Sequence, residues 1–195
     1  DVNAAVSPAP PASVLVVTAT INVLTVMAAT ACMAAIERRA LFSYGLADRH
    51  FLRRLAVGAG WGFAALSTMV GLLVVTGHLV ISGLALHGTA IVGYALVWGY
   101  VFLMVGMYEE CVLRGYLQAT LARGMGFWPA AVVLSLVFGS GHITNPGETA
   151  FGVASAGAFG LVACYALLRF GSLWWVIGYH AAWDWAQSYF YGTPD

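Results

Sequence analysis

Long apolar runs separated by short polar stretches dominate the pattern of this chain. A helix needs roughly 20 apolar residues to cross the hydrocarbon layer of a membrane, with tilt accommodating some variation in length. If some tilt and some shortness are allowed, the pattern predicts five or six such helices, at residues 14–36, 55–76, 89–122, 128–140 (the short one), 149–170 and 173–191. We therefore expect an all-α fold, a polytopic transmembrane bundle of about six helices.

Composition agrees with the helix pattern, since 61% of the residues are hydrophobic and 8% are charged, against about 25% charged in soluble domains. The pattern predicts an extramembrane arm rich in Pro and Ala at residues 1–13, followed by one membrane-embedded domain at residues 14–195.

The chain begins with Asp1 and not with Met, so we expect a processed protein or a copy truncated at its N-terminus. The eight basic residues balance eight acids, and nothing in this charge predicts a nucleic-acid partner.

Arginine positions predict the orientation of the helices. Five arginines crowd the first predicted loop, at Arg38, Arg39, Arg49, Arg53 and Arg54. Cytoplasmic loops of membrane proteins are enriched in Lys and Arg, so this loop is expected to be cytoplasmic. Counting helices onward places Arg123 and Arg169 on the same side.

The cysteine and serine residues of this sequence are not predicted to be metal ligands or nucleophiles. The three cysteines, Cys32, Cys111 and Cys164, lie inside apolar segments without metal-ligand spacing, and we expect small buried residues. Ser140 and Cys111 lie near candidate acids and histidines, but the sequence places no base beside either as a nucleophile would require. Covalent catalysis is therefore not expected.

Ionisable residues inside the third helix are the first candidates for a functional site, because the membrane makes such residues costly to keep. Glu110 and Arg114 are four residues apart, a spacing that brings side chains together on one helical face, so these two predict an ion pair. Glu109 points about 100° away and has no charge partner nearby in the sequence. It is the better candidate for a general base. The alternative is that both acids form a solvated helix end.

Two histidines and an aspartate extend the set. His142 ends the short fourth helix, one turn after Phe138, and taken alone would be read as a capping or buried histidine. His180 and Asp184 stand four residues apart on one face of the sixth helix, in an apolar setting. An internal hydrogen bond that stabilises packing is the alternative for this pair.

These residues together form an inventory for hydrolysis. A carboxylate and a histidine can take a proton from water, and a second histidine and acid can stabilise an oxyanion or help to hold a metal ion. Acids and histidines inside a helix bundle also form proton or ion paths in transporters. Transporters usually contain an internal repeat, and the motif helices show none, so a transporter is the less favoured alternative.

Three ordered motifs resemble the CPBP (Abi) intramembrane proteases, which include the type II CAAX prenyl proteases and bacteriocin-processing or self-immunity proteins. The family motif Glu-Glu-x-x-x-Arg is similar to residues 109–114, Phe-x-x-x-His to residues 138–142, and His-x-x-x-Asn/Asp to residues 180–184. The resemblance covers about residues 108–191 and implies a catalytic core at about residues 88–191. It implies an endopeptidase embedded in a bacterial or archaeal plasma membrane.

The resemblance also implies roles for the residues. Glu109 and His142 would activate a water molecule, while His180 and Asp184 would stabilise the oxyanion. Some members have asparagine at the position of Asp184, and an ionised carboxylate cannot donate a hydrogen bond as an amide can. Asp184 would then be protonated, orient His180 or bind metal.

The resemblance leaves the metal and the substrate open. Zn²⁺ or another divalent metal would have Glu109, His142 and His180 as candidate ligands, although no His-Glu-x-x-His motif is present. The substrate would be a peptide or protein, either with a lipidated C-terminal tail or of the bacteriocin type. A membrane immunity protein or scaffold of the same fold, without catalysis, is the alternative.

The predicted helices raise a question of depth. Glu109 is expected toward the cytoplasmic half of the membrane, whereas His142 follows a helix of about 13 residues, some 20 Å long, that leads away from the cytoplasmic side. A tilted or re-entrant fourth helix, or a third helix placed at a different depth, would be needed to bring them together.

Overall fold

The computed structural model describes residues 11–145 and 147–192 of the chain. Within these ranges the fold is all-α, as predicted, without strands. The six helices are α1 (Ala12–Ile36), α2 (Phe51–Val75), α3 (Thr89–Met125), α4 (Phe127–Gly141), α5 (Ala150–Phe170) and α6 (Trp174–Trp185). Two π-helical stretches adjoin the motif residues: Cys111–Leu117 lies inside α3, and Ala186–Phe190 continues α6. Residues 1–10 of the predicted arm lie outside the described residues, and α1 already begins at Ala12.

The length and apolar composition of its helices identify the chain as an integral membrane protein. Four helices, α1, α2, α3 and α5, are long and apolar enough to cross a membrane, and α4 is a shorter apolar helix of 15 residues. Their outer faces expose large apolar side chains, which lipid can cover. Examples are Leu24, Trp61, Leu72, Leu96, Leu136 and Leu168.

The arginine-bearing segments gather at one end of the bundle, as the sequence predicted. Arg123, near the end of α3, binds the carboxylate of Glu37, which follows α1, with Nη2 and Oε2 2.6 Å apart. The guanidinium of Arg54 at the start of α2 lies 5.6 Å from the ring centroid of Phe170 at the end of α5. These contacts join α1 to α3 and α2 to α5 at the arginine-rich end.

Helix α6 is the central element, packed between α2 and α3. Its backbone touches that of α2 because glycines remove the side chains between them: a Cβ at Gly58 or Gly62 would overlap the carbonyl oxygen of Trp175 or Tyr179. On the other side, a Cβ at Gly106 of α3 would lie 3.2 Å from the backbone nitrogen of Ala181. Small residues at such positions let membrane helices approach closely. Histidine and acid side chains of α6 are thereby brought next to α3.

A tight turn at Gly126 joins α3 and α4 and places Glu109 and His142 at a similar level. Gly126 has φ 87°, a left-handed conformation that favours glycine, and the chain reverses direction there. Glu109 lies 17 residues before Gly126, and His142 lies 16 residues after it. At 1.5 Å per residue, both lie roughly 24 Å from the turn. Glu109 and His142 therefore lie at a similar distance from the turn, with Glu109 well inside a helix that runs on to Met125.

The cysteines differ in exposure. Cys111 and Cys164 are buried as expected, but Cys32 is exposed. The expectation was wrong for Cys32 because α1 buries one face, formed by Ala19, Val23, Thr30 and Ala34, and Cys32 lies off that face.

Candidate active site

Glu110 and Arg114 form the ion pair that their spacing predicted. Arg114 Nη1 donates to Glu110 Oε1 over 3.1 Å, and both side chains are fully buried. Removing either charge would leave the other without compensation in a low-dielectric setting. Glu110 is therefore held inside the protein and does not line either of the cavities described below.

Phe138 of α4 forms the wall beside Arg114 and both histidines. The guanidinium carbon of Arg114 lies 4.4 Å from the centroid of the Phe138 ring, a cation–π contact. The same ring meets His142 and His180 edge to face, with centroid separations of 4.8 and 5.8 Å. This side chain thus holds the three motifs in contact.

His180 is surrounded by three carboxylates. Its Nδ1 lies 2.8 Å from Glu110 Oε1, and since a carboxylate can only accept, Nδ1 is the donor. Its Nε2 lies 3.4 Å from Asp184 Oδ2 and 3.7 Å from Glu109 Oε2. An imidazolium with protons on both nitrogens satisfies this arrangement.

Glu109 is the acid that reaches open space. Its side chain is 22% exposed, whereas that of Glu110 is completely buried. The hydroxyl of Tyr108 donates to Glu109 Oε1 over 2.8 Å and so orients the carboxylate. Of the two neighbouring acids, Glu109 can meet a water molecule or a substrate.

His142 follows the last turn of α4 with its tautomer determined by one hydrogen bond. Its Nδ1 lies 2.8 Å from the carbonyl oxygen of Phe138. A carbonyl oxygen only accepts, so Nδ1 carries the proton and Nε2 of the neutral ring has a free lone pair. The ring can therefore accept a hydrogen bond from water at Nε2.

Two cavities meet at the motif residues. The smaller, about 340 Å³, is lined by Glu109, Tyr108 and His142 among others. The larger, about 560 Å³, contains His142, His180 and Asp184 in its lining and extends between α2, α5 and α6. Three residues line both: Phe138, His142 and Asn145. Glu109 and Asp184, which line different cavities, both approach the same nitrogen of His180.

The structure thus brings all six sequence-predicted residues together, in two layers. Glu110 and Arg114 lie behind Phe138, and the other four line the cavities: Glu109, His142, His180 and Asp184. Sequence reasoning did not select Tyr108 or Asn145. The signal for Asn145 was its position three residues after His142, close to one helical turn.

The residues do not fit a resident metal ion. Across residues 11–145 and 147–192, no group of three or more His, Cys, Asp or Glu side chains is arranged to hold one. Glu109 lies 3.7 Å from Nε2 of His180, but together with His142, the third candidate ligand, they form no such group, and Nδ1 of His180 is occupied by Glu110.

The side chains discounted as nucleophiles, Ser140 and Cys111, line neither of the two cavities. Ser140 Oγ donates to the carbonyl oxygen of Val137 in its own helix, over 2.9 Å. Cys111 is buried in an apolar cluster with Leu46, Leu173 and Ile177.

A comparison with known protein families finds a match for the half of the chain that contains the three motifs. Residues 91–186 match the family model described as type II CAAX prenyl endopeptidase Rce1-like. The matched segment contains all three motifs and lies inside the predicted core at about residues 88–191, so the family resemblance is confirmed. No curated protein and no solved structure matches the chain.

Proposed function

Because residues 91–186 match the family model described as type II CAAX prenyl endopeptidase Rce1-like, we propose that this integral membrane protein is an endopeptidase that uses a water molecule held by Glu109 and His142. The observation that carries the proposal is that these two side chains, from α3 and the end of α4, line the same cavity. A base must lie within hydrogen-bonding reach of the proton that it takes, directly or through one water, and a shared cavity meets this need.

In the proposed reaction Glu109 is the general base. Its carboxylate takes one proton from water while the water oxygen bonds to the carbonyl carbon of the peptide and the π-electron pair moves onto the carbonyl oxygen. His142 Nε2 accepts a hydrogen bond from the other O–H of the water, which keeps that hydrogen, and so orients the attack. The oxyanion's electron pair then re-forms the C=O bond as the C–N bond breaks, and the nitrogen keeps the C–N electron pair and takes the proton from Glu109, which leaves a carboxylic acid and an amine. General acid–base catalysis of this kind contributes about 10²–10⁴-fold.

His180 is proposed to face the developing oxyanion with Nε2–H. Asp184, 3.4 Å from this nitrogen, orients the ring and stabilises its charge. Glu110 holds the other nitrogen, and Arg114 compensates Glu110. Arg114 and Glu110 are therefore positioning residues, which act through His180.

The larger cavity is proposed to receive the substrate. Aromatic side chains make up much of its lining: Phe138, Phe151, Phe159, Tyr179 and Trp183. Such a surface suits an apolar peptide segment or a lipid chain attached to a peptide. We propose a peptide or protein substrate, either with a lipidated C-terminal tail or of the bacteriocin type, in a bacterial or archaeal plasma membrane.

Cleavage of quenched-fluorescent peptides by the purified protein in detergent tests the proposal. Farnesylated and unmodified peptides are compared, with Glu109→Gln and His142→Ala against the wild type and with Ser140→Ala as a control. We expect a loss of about 10²-fold or more in the first two variants, with Ser140→Ala unchanged. A chelator should have no effect, since the described residues form no metal site.

Cleavage that survives in both Glu109→Gln and His142→Ala would overturn the site. A folded wild type that cleaves no peptide would instead support the alternative, a non-catalytic membrane immunity protein or scaffold. Loss of activity with a chelator would show that a metal takes part.

A further inference from the structure

The position of Asp184 creates an electrostatic problem for a peptidase. Asp184 and Glu109 both flank Nε2 of His180, at 3.4 and 3.7 Å. An oxyanion forming near this nitrogen would meet two carboxylates, which can only accept hydrogen bonds when ionised. A neutral donor from another part of the chain would relieve this repulsion, since preorganised donors at the oxyanion are a large part of catalysis.

Asn145 lies in the loop between α4 and α5, three residues after His142. Its backbone is held at both polar groups: the N–H donates to the carbonyl oxygen of His142 over 3.0 Å, and the carbonyl oxygen accepts from the N–H of Glu148 over 3.1 Å. These bonds hold the residue at a constant position relative to the His142 backbone.

The side chain of Asn145 is half-buried and lines both cavities. Among the described residues, none forms a hydrogen bond with its carboxamide. The amide therefore keeps its two N–H donors available where the cavity of Glu109 meets the cavity of His180 and Asp184. The other residues common to both linings are His142, with its own role, and Phe138, which has no donor.

We propose that Asn145 is a catalytic residue whose side-chain amide donates a hydrogen bond to the oxyanion. The inference rests on the proposed peptidase function. Asn145 would supply from the α4–α5 loop the neutral amide that the third motif lacks when Asp184 occupies its last position. The donor then comes from the loop that follows His142.

Kinetics of two variants test this role with the same peptides. Asn145→Asp keeps the shape of the side chain and removes the N–H donors, and Asn145→Ala removes the whole amide. Loss of one oxyanion donor is expected to lower kcat by about 10²–10³-fold, with KM changed by less than about threefold, because the bond forms in the transition state. Thr144→Ala is the matched control, as Thr144 is exposed and lines neither cavity.

A second substitution gives a rescue test. In the Asn145→Ala background, Asp184→Asn returns a neutral amide to α6, and we expect kcat to recover by about tenfold or more. Thermal unfolding of each variant confirms that it is folded.

Four results would overturn the assignment. Two concern the single variants: kcat of Asn145→Ala stays within about threefold of the wild type while Glu109→Gln is inactive, or Thr144→Ala loses as much kcat as Asn145→Ala. The others are a change in KM without a change in kcat, and no recovery of kcat when Asp184→Asn is added to Asn145→Ala. No cleavage by the wild type would remove the peptidase itself, and is distinguished from these because it does not depend on Asn145.

Discussion

Nδ1 of His180 donates a hydrogen bond to Oε1 of Glu110 over 2.8 Å, joining α6 to α3. Arg114 reaches the same oxygen over 3.1 Å, so a single buried carboxylate oxygen orients a histidine and compensates a guanidinium. Its neighbour Glu109 instead lines a cavity. Two adjacent acids with opposite exposure should therefore respond differently to the same substitution.

Glu110→Gln is expected to destabilise the protein, whereas Glu109→Gln should leave stability nearly unchanged and abolish cleavage. Breaking a buried ion pair on one side costs about 3–5 kcal/mol, because the remaining charge of Arg114 stays buried. Thermal unfolding in detergent, measured beside peptide cleavage, checks both parts. Equal unfolding temperatures for the two variants would contradict the division of roles.

Gly160→Ala should reduce cleavage by moving Arg114. A Cβ at position 160 would lie 2.8 Å from Nη2 of Arg114 and 2.8 Å from Oγ of Ser135. Displacement of catalytic groups by about 1 Å can cost on the order of 10²-fold in rate. Gly157→Ala on the same helix is the control, because its Cβ would come no closer than 3.4 Å, to the carbonyl oxygen of Ser135. Similar kcat values for the two variants would show that Arg114 tolerates the shift.

Gly62→Val is expected to loosen the packing of α2 against α6. The added side chain would overlap the carbonyl oxygen of Tyr179, and overpacking of this kind costs about 1–3 kcal/mol or more. Gly60→Val, two residues away on the same helix, meets open space and serves as the control. Unfolding temperatures should fall in Gly62→Val and remain near the wild-type value in Gly60→Val, and the reverse order would refute the packing described.

Acidification should weaken the contact between Glu37 and Arg123. The hydrogen bond from Arg123, aided by the hydroxyls of Tyr116 and Tyr44, holds the pKa of Glu37 below its ordinary value of 4.5 despite partial desolvation. A carboxylate whose pKa is lowered in the folded state stabilises the protein above its unfolded pKa, and this contribution is lost as pH falls through the folded pKa. The unfolding temperature of the wild type should therefore fall more steeply below pH 4.5 than that of Glu37→Gln. Parallel curves would exclude this contribution.

The charge of the larger cavity predicts a substrate preference. Glu148 and Asp184 belong to its lining, whose described residues include no Lys or Arg. A protonated His180 offsets one of these two charges and leaves the lining net negative. Peptides with Lys or Arg near the cleaved bond should be processed about two- to fivefold better than matched peptides with Asp or Glu, as expected for partly exposed ion pairs. Glu148→Gln should reduce the difference, and so should added salt. A preference for acidic peptides would contradict the prediction.

Much of this architecture follows from local rules that a sequence contains. Apolar runs predicted six helices because lipid requires backbone polar groups to be satisfied within each segment. The contact of Glu110 with Arg114 followed from a separation of four residues, which places side chains on one helical face. The choice of Glu109 as the free acid used the same geometry, since adjacent residues on a helix point about 100° apart.

Tertiary structure decided what depends on helix rotation, depth and distant contacts. The bond between His180 and Glu110 spans 70 positions of sequence, and no helical period predicts it. The turn at Gly126 determines that Glu109 and His142 lie at a similar level. The exposure of Cys32 depends on which face of α1 is covered by other helices. The role proposed for Asn145 became visible once two cavities were seen to meet at its side chain. Such features depend on how neighbouring helices pack against one another, which small residues and interhelical contacts determine and which the hydrophobic pattern of a single segment does not specify.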